Sequence, residues 1–562
     1  MTTATFTPPS PGSWELEQTH MTRPPSMLMA AIFPDAMMRG FAESMRTYGA
    51  LLDHLEVAVI NRFLYLAVRP VGVPKGATAP PPRLVFKAMC LLHPELRRRI
   101  RRSAEVFRER TWRSEIEWWD REVKPSLAAE AKALLAEDVR RLSNEDLAAH
   151  VRRAIEFLKR GVYTHHRFNG CAMIALGDFL VHAMDWTGLG AAELLEPMRG
   201  LSPVSAGAVE ELSDLRRALL ADADALSLVL SDQPPAAILA DLERRQTPVG
   251  AAARADLEVV GLRVLGGYDV SDRHAREHPE LLVKVLRTTV SGDAAGRHAS
   301  AEQKLASVRA RVPAAHRDEF DALFEEARAT YRIRDERVFH SDALAIGIAR
   351  RAILAAGERL KAQGLVSDPA HLVDATPAEL LSLMEHGSGP SAAELAERTR
   401  WRVQTPMSAA PDRLGHPPSA PPPIEWMPPA AARLQRGIGL VLGLMFDVQA
   451  APAKDTPQLK GFPVSSGAYE GAVRVIRSVD ELPSVQAGEI LVATSTGPTF
   501  NVVLPLIGVL VTERGGMLSH AAIVSREYGL PGVVGCTGAT SMLKTGMRAR
   551  VDGNSGEVWI VG

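Results

Sequence analysis

Cysteine is scarce in these 562 residues: only Cys90, Cys171 and Cys536. They lie far apart and form no CxxC pair. That excludes a disulfide framework and a thiolate zinc site, and it fits a reducing cytosol. Long apolar runs are missing too. The longest, such as 502–511, are too short to cross a bilayer. The Pro-rich start, 1–12, has no apolar signal core, so a cytoplasmic protein without membrane partners is expected. Charge of neither sign dominates. Lys plus Arg number 65 and Asp plus Glu 66, so no overall field draws the chain to nucleic acid. Internal repeats are absent, and so is a Gly-rich phosphate loop in residues 1–400. Gly40, Gly188, Gly190 and the pair Gly266-Gly267 are scattered, without a strand–loop–helix setting. What remains is an ordinary globular composition, 46% hydrophobic and 23% charged, in a chain long enough for two to four domains.

One stretch stands out: Thr512-Glu-Arg-Gly-Gly-Met-Leu-Ser-His-Ala-Ala-Ile-Val-Ser-Arg-Glu-Tyr-Gly-Leu-Pro531. The β-branched run 502–511 before it predicts a strand. Ala521 to Glu527 predicts a helix, stopped by Gly529 and Pro531. Gly515 and Gly516 then lie in the strand-to-helix turn, and Ser519 and His520 open the helix. Glycines let backbone N–H groups turn inward, and a helix start favours negative charge, so the arrangement suits an anion. A histidine there can present a ring nitrogen to phosphate, and its phosphorylated form would sit where the dipole stabilises it. The plain alternative is a Gly-Gly turn and a helix-capping histidine.

In this order, Gly-Gly-x-x-Ser-His-Ala followed by Arg526-Glu527-x-Gly529-x-Pro531 resembles the phosphohistidine (swivelling) domain. That family contains phosphoenolpyruvate synthase, pyruvate phosphate dikinase and rifampin phosphotransferase. The resemblance runs from about Gly461, with Gly461–Gly467 like its opening strand and Val551–Val558 like its closing hairpin. It implies that His520 takes and gives a phosphoryl group. Thr512, Gly515, Gly516 and Ser519 would support it, and Arg526 would add a counter-charge.

The rest reads as a mainly α-helical body, 13–404, after a loose arm, 1–12. A Pro-rich linker, 405–459, with one short apolar segment, leads to a C-terminal α/β domain, 460–562. Met27–Leu55 predicts two helices and 57–68 a single strand. Ser143 and Ser391 are expected helix caps. Arg97-Arg-Arg-Ile-Arg-Arg102 reads as a solvated basic helix face.

The body weakly resembles the acceptor-binding helical region of the same family. Gly261, Arg263, Asp269, Arg273, Glu277 and Pro279 match a family segment. Leu262, Gly267 and His274 depart from it, where the family has His, Glu and Trp. A second polar cluster holds His165, His166, Asn169, Asp178 and His182. The substrate-binding candidates are therefore His165, His166, His182, Arg263, Asp269 and Arg273. Asp178 and His182 offer two metal ligands at most, so no metal site is expected.

Neither an ATP-grasp domain nor a phosphoenolpyruvate-binding barrel is recognisable in the chain. No tightly bound cofactor is expected. Three readings follow. In the first, a separate ATP-grasp subunit, using ATP and Mg, charges His520, which passes phosphate to a hydroxyl-bearing, natural-product-like molecule. In the second, His520 is a phosphate-independent general acid or base in a dehydratase (lyase) or cyclase of secondary metabolism. The third is a non-catalytic binding protein, against which the intact motif argues.

Overall fold

A computed structural model describes all residues except 1–4, 19–20, 22, 202, 260, 263, 265–266, 292–300, 447–457, 498–499, 502 and 562. The described chain is mainly helical with a β-rich C-terminal part, as the sequence implies. Among the described residues, no helix is long and apolar enough to cross a membrane.

The chain divides into two compact units. One comprises residues 1–175, 267–272 and 337–438; the other comprises 176–266, 273–336 and 439–562. In the first unit, α1 (Met27–Tyr48) is a single helix rather than two. Ser26 caps it, and it runs unbroken past Pro34 to Gly49, which turns left-handed at φ +71°. There follow α2 (Arg83–Leu92), α3 (Pro94–Glu109), α4 (Thr111–Trp118), α5 (Lys124–Ala136), α6 (Asn144–Arg167) and the first turns of α7 (Asn169–Thr187). Ser143 caps α6, its hydroxyl accepting the Asp146 amide at 3.0 Å. Ser391 likewise caps the Ala392–Gln404 helix.

The expected single strand is a hairpin. β1 is Ser13–Leu16, β2 Leu52–Ile60, β3 Phe63–Pro70 and β4 Arg413–Gly415, in the sheet order β2-β3-β1-β4. Asn61 and Arg62 both take positive φ, 49° and 68°, which makes the two-residue turn that matches strand twist. β4 lies within the Pro-rich stretch and pairs with β1 nearly 400 residues earlier. Trp14, Phe63, Tyr65, Ala67 and Leu414 form the buried layer of this sheet.

In the second unit, the described residues include an eight-stranded sheet. Its strands are β5 (Gln458–Lys460), β6 (Phe462–Ser465), β7 (Ala468–Ile476), β8 (Ile490–Ala493), β9 (Val509–Thr512), β10 (Gly532–Val534), β11 (Arg548–Asp552) and β12 (Glu557–Ile560). The order is β5-β12-β11-β7-β8-β9-β10-β6, with β7, β8, β9 and β10 mutually parallel. The strand expected over 502–511 is shorter than the apolar run. β9 begins only at Val509, because Val503–Leu506 form turns. β8 and β9 are buried on both faces. Leu491 and Leu510 pack with Ala521, Ala522 and Val524 on one side, and Ile490, Val492, Val509 and Val511 pack with Ala539 and Leu543 on the other. The first cluster continues into helical residues of the same unit, among them Leu219, Leu242 and Leu286.

Candidate functional site

Parallel β8 and β9 end side by side, and their following loops stay zipped together. The Glu513 amide donates to Ala493 O at 3.0 Å, and the Arg514 amide to Thr494 O at 2.8 Å. Ligand sites in parallel sheets form at this carboxyl edge. The β9 loop turns at Gly515 (φ +103°), a conformation only glycine adopts easily. Ser519 then caps the helix His520–Tyr528, accepting the Ala522 amide, and His520 is its first residue. Gly529 ends the helix in the left-handed conformation, as its position before Pro531 predicts.

The half-buried His520 ring reaches back to the β8 loop. Its Nδ1 lies 3.1 Å from Thr496 Oγ1. Thr496 is a site residue that the motif did not reveal. The only signal was a polar Thr494-Ser-Thr496 run closing an apolar strand. A hydrogen bond to one ring nitrogen sets the protonation of the other.

The supporting residues are placed as follows. Thr512 is fully buried at the end of β9, and its hydroxyl has no hydrogen-bond partner among the described residues. The Gly516 amide donates to Met445 O at 3.0 Å and the Leu518 amide to Leu444 O at 3.0 Å. A Cβ on Gly516 would run into the Leu444 carbonyl, so this glycine is required by packing. The buried Arg526 guanidinium donates to Met517 O at 3.1 Å and to the Tyr331 hydroxyl at 3.2 Å, bracing the loop from behind. Arg334 donates to Leu518 O, two residues before His520.

Glu527, beside Arg526, accepts the Gly200 amide at 2.8 Å. Burial pushes its carboxyl up to about 7; Asp335 adds to the rise, while the Gly200 amide, Arg526 and Arg199 oppose it. The folded pKa lies above the unfolded value of ~4.3, so the fold prefers protonated Glu527. Its contribution is complete below about pH 4 and is lost as pH rises through 7. Glu527→Gln should therefore flatten the loss of stability between pH 5 and 8. Urea unfolding across that range should show wild type and variant diverging as pH rises; parallel curves would rule out this titration.

The first unit holds a separate buried polar cluster. His165 Nδ1 is 2.9 Å from Asp342 Oδ2, and both side chains are buried. Asp342 lies in Val338–Ala343, a π-helical stretch of the kind often found at functional sites. His166 lies against His165 with ring centroids 4.7 Å apart, and Tyr268 meets His165 edge-on at 6.3 Å. Arg337 donates to His165 O at 2.7 Å and also to Asn169 Oδ1. Asp269 accepts the Ser26 amide at 2.8 Å, joining the segment 267–272 to the start of α1. Burial and neighbouring Asp269 push the Asp272 carboxyl up to about 6.

His165, His166 and Asp269 thus fall in this unit, brought together through Tyr268. His182 and Arg273 belong to the second unit. His182 turns onto its own helix, Nδ1 2.8 Å from Asp178 O, with Trp186 beside it at 5.4 Å. Arg273 is exposed, and Arg263 lies outside the described residues. No group of three or more metal-ligating side chains occurs among the described residues.

Fold and site together define a mainly helical body and a C-terminal β-rich domain with a histidine at the carboxyl edge of its parallel strands. Comparisons agree. Residues 485–556 match the family described as PEP-utilising enzyme, mobile domain. Residues 168–335 match the rifampicin phosphotransferase fourth domain. The uncharacterized phosphotransferase YvkC of Bacillus subtilis is 30% identical over 44% of this chain and 27% of its own length. A rifampicin phosphotransferase of a Streptomyces species is 28% identical over 56% of this chain and 35% of its own. The phosphoenolpyruvate synthase of Pyrococcus furiosus is 48% identical over 18% of this chain and 12% of its own. The chain therefore spans about a third or less of each relative's length. It resembles the PEP-utilising and rifampicin-phosphotransferase enzymes at the family level.

Proposed function

We propose that this chain is a phosphotransferase in which His520 carries a phosphoryl group to a hydroxyl of a bulky, natural-product-like molecule. The observation that carries this reading is the His520 ring. It opens a helix at the carboxyl edge of β8 and β9, with Nδ1 against Thr496, inside the segment similar to the mobile domain. With Nδ1–H donating to Thr496, the Nε2 lone pair is the nucleophile. An ATP-grasp partner charges Nε2 from Mg-ATP: a P–O bond of ATP breaks as the P–N bond forms, and the remainder of the nucleotide leaves with the electron pair of that bond. In the transfer step the P–N bond at Nε2 breaks, a P–O bond to the substrate oxygen forms, and the hydroxyl proton leaves to a base. His165, beside the buried Asp342 carboxylate, is an acceptor-binding candidate of the helical body. His166, Asp269, Arg263, Arg273 and His182 remain acceptor-binding candidates, and the residues from about 460 onward form the carrier.

A second reading is favoured by one observation. The Gly516 amide and the Arg526 guanidinium are both engaged by protein groups. A phosphate-independent dehydratase (lyase) or cyclase would need neither group, and His520 would act as its acid or base. Product mass separates the two. Transfer adds a phosphoryl group and needs ATP with a charging partner; dehydration removes water in buffer alone. ATP-independent water loss would overturn the first reading.

Thr496 gives a finer test. Thr496→Val removes the Nδ1 partner and should slow phosphorylation of His520 by roughly tenfold or more, while Thr496→Ser should restore it. Equal rates in all three proteins would remove Thr496 from the mechanism.

A further inference from the structure

The short helix α2 is apolar on two opposite faces. Phe86 and Cys90 point inward and are buried. On the other side Leu84 is 81% exposed, Leu91 71% and Leu92 77%, with Val85 at 49%. Together with exposed Ala88 they sit at i, i+1, i+4, i+7 and i+8, one continuous outward stripe at 100° per residue. Single exposed leucines need no explanation, but a stripe at packing periodicity in ten residues does.

The border of the stripe is cationic. Arg83 and Lys87, one turn apart on α2, flank it and are exposed. α3 packs beside α2 and adds exposed Arg97, Arg98 and Arg101. Glu95 takes Arg98 at 3.1 Å and the buried Arg99 at 2.7 Å. Arg83, Lys87, Arg97 and Arg101 have no carboxylate partner among the described residues. Their charge is local, since the whole chain carries a net −1. α2 ends at Leu92 and α3 begins at Pro94, so the exposed basic run, from Arg97, starts close in sequence to the end of the apolar stripe.

We propose that this surface docks an acidic amphipathic helix of a partner protein. Its leucine-like side chains would lie along Leu84, Ala88, Leu91 and Leu92, and its carboxylates would meet Arg83, Lys87, Arg97 and Arg101. The helical repeat and the charge border both fit such an occupant. A membrane surface fits less well. Interfacial helices carry Trp or Phe anchors beside their leucines on the apolar face, and α2 exposes none, its one aromatic, Phe86, being buried inward. The proposal is independent of phosphoryl transfer.

The test titrates the full chain with a labelled synthetic peptide carrying Leu at helical a and d positions and Glu between, read by fluorescence anisotropy. Controls are the scrambled peptide and one with Lys for Glu. Wild type should bind only the acidic amphipathic peptide, and less tightly as salt rises. Leu84→Ser/Leu91→Ser/Leu92→Ser should weaken binding by about tenfold or more. Arg97→Ala/Arg101→Ala should weaken it several-fold and lower its salt dependence. These are surface changes, and circular dichroism checks that the fold is kept. No binding by wild type, or equal binding by the triple variant, overturns the proposal. So does flotation with phosphatidylglycerol vesicles, or self-association in sedimentation equilibrium that the triple serine variant abolishes, when the peptide does not bind.

Discussion

His520→Ala should abolish product formation, a fall on the order of 10⁴-fold or more, because no other group replaces a lost nucleophile. If His520 instead only moves a proton, the fall should be smaller, on the order of 10²–10⁴-fold. The fold should survive. His520 is only half-buried and opens its helix, while Ser519 keeps the capping hydrogen bond to Ala522. Thermal unfolding should therefore shift little, since such a side chain adds little to a core. His520→Gln gives the companion result: a ring-sized polar group without a nucleophilic nitrogen should be equally inactive. Wild-type turnover by the alanine protein would leave the domain without a chemical role.

Arg167→Ala should strongly destabilise the first unit. Its guanidinium forms a two-pronged pair with buried Glu115, at 2.6 and 3.2 Å, and a further bond to Glu43 at 2.9 Å. Trp118 and Phe168 lie against its plane at 5.4 and 5.7 Å. Glu115 and Glu43 raise the Arg167 pKa, so the charge is permanent. Truncation strands the Glu115 carboxylate in the interior at a cost of about 3–5 kcal/mol. Urea unfolding should show the free energy of unfolding falling by that measure, with a correspondingly lower midpoint. Arg167→Met with Glu115→Leu should recover much of it, because a buried ion pair replaced by apolar groups often costs little. A small effect of Arg167→Ala would mean that water reaches Glu115.

The parts legible in sequence were local. Gly515, Ser519, His520 and Gly529 could be placed because a turn, a cap, a helix start and a helix stop each depend on a few neighbouring residues. Ser143 and Ser391 were legible for the same reason. The hairpin at Asn61-Arg62 was not, because Arg is an uncommon occupant of a left-handed turn position. The pairing of β4 with β1 depends on residues nearly 400 apart, and no local pattern announces it. The motif makes Arg526 a candidate counter-charge, and its direction is set by Met517 O and the Tyr331 hydroxyl, which no local pattern announces. His165 was a candidate from its neighbours alone. Its partner Asp342 lies far along the chain and could only be found in three dimensions. The apolar run 502–511 shows the converse: composition favoured a strand, and tertiary turns cut it to Val509–Thr512.

The central claim is that His520 carries a phosphoryl group, and one measurement bears on it directly. The chain is incubated with Mg-ATP and an ATP-grasp protein able to charge it, then quenched in alkali. Mass spectrometry of the peptide containing His520 follows. The expected result is an added phosphoryl group on His520, lost in mild acid, absent from His520→Ala, and discharged when a hydroxyl-bearing acceptor is added. An unmodified His520, in a protein that converts its substrate at full rate under those conditions, would contradict it.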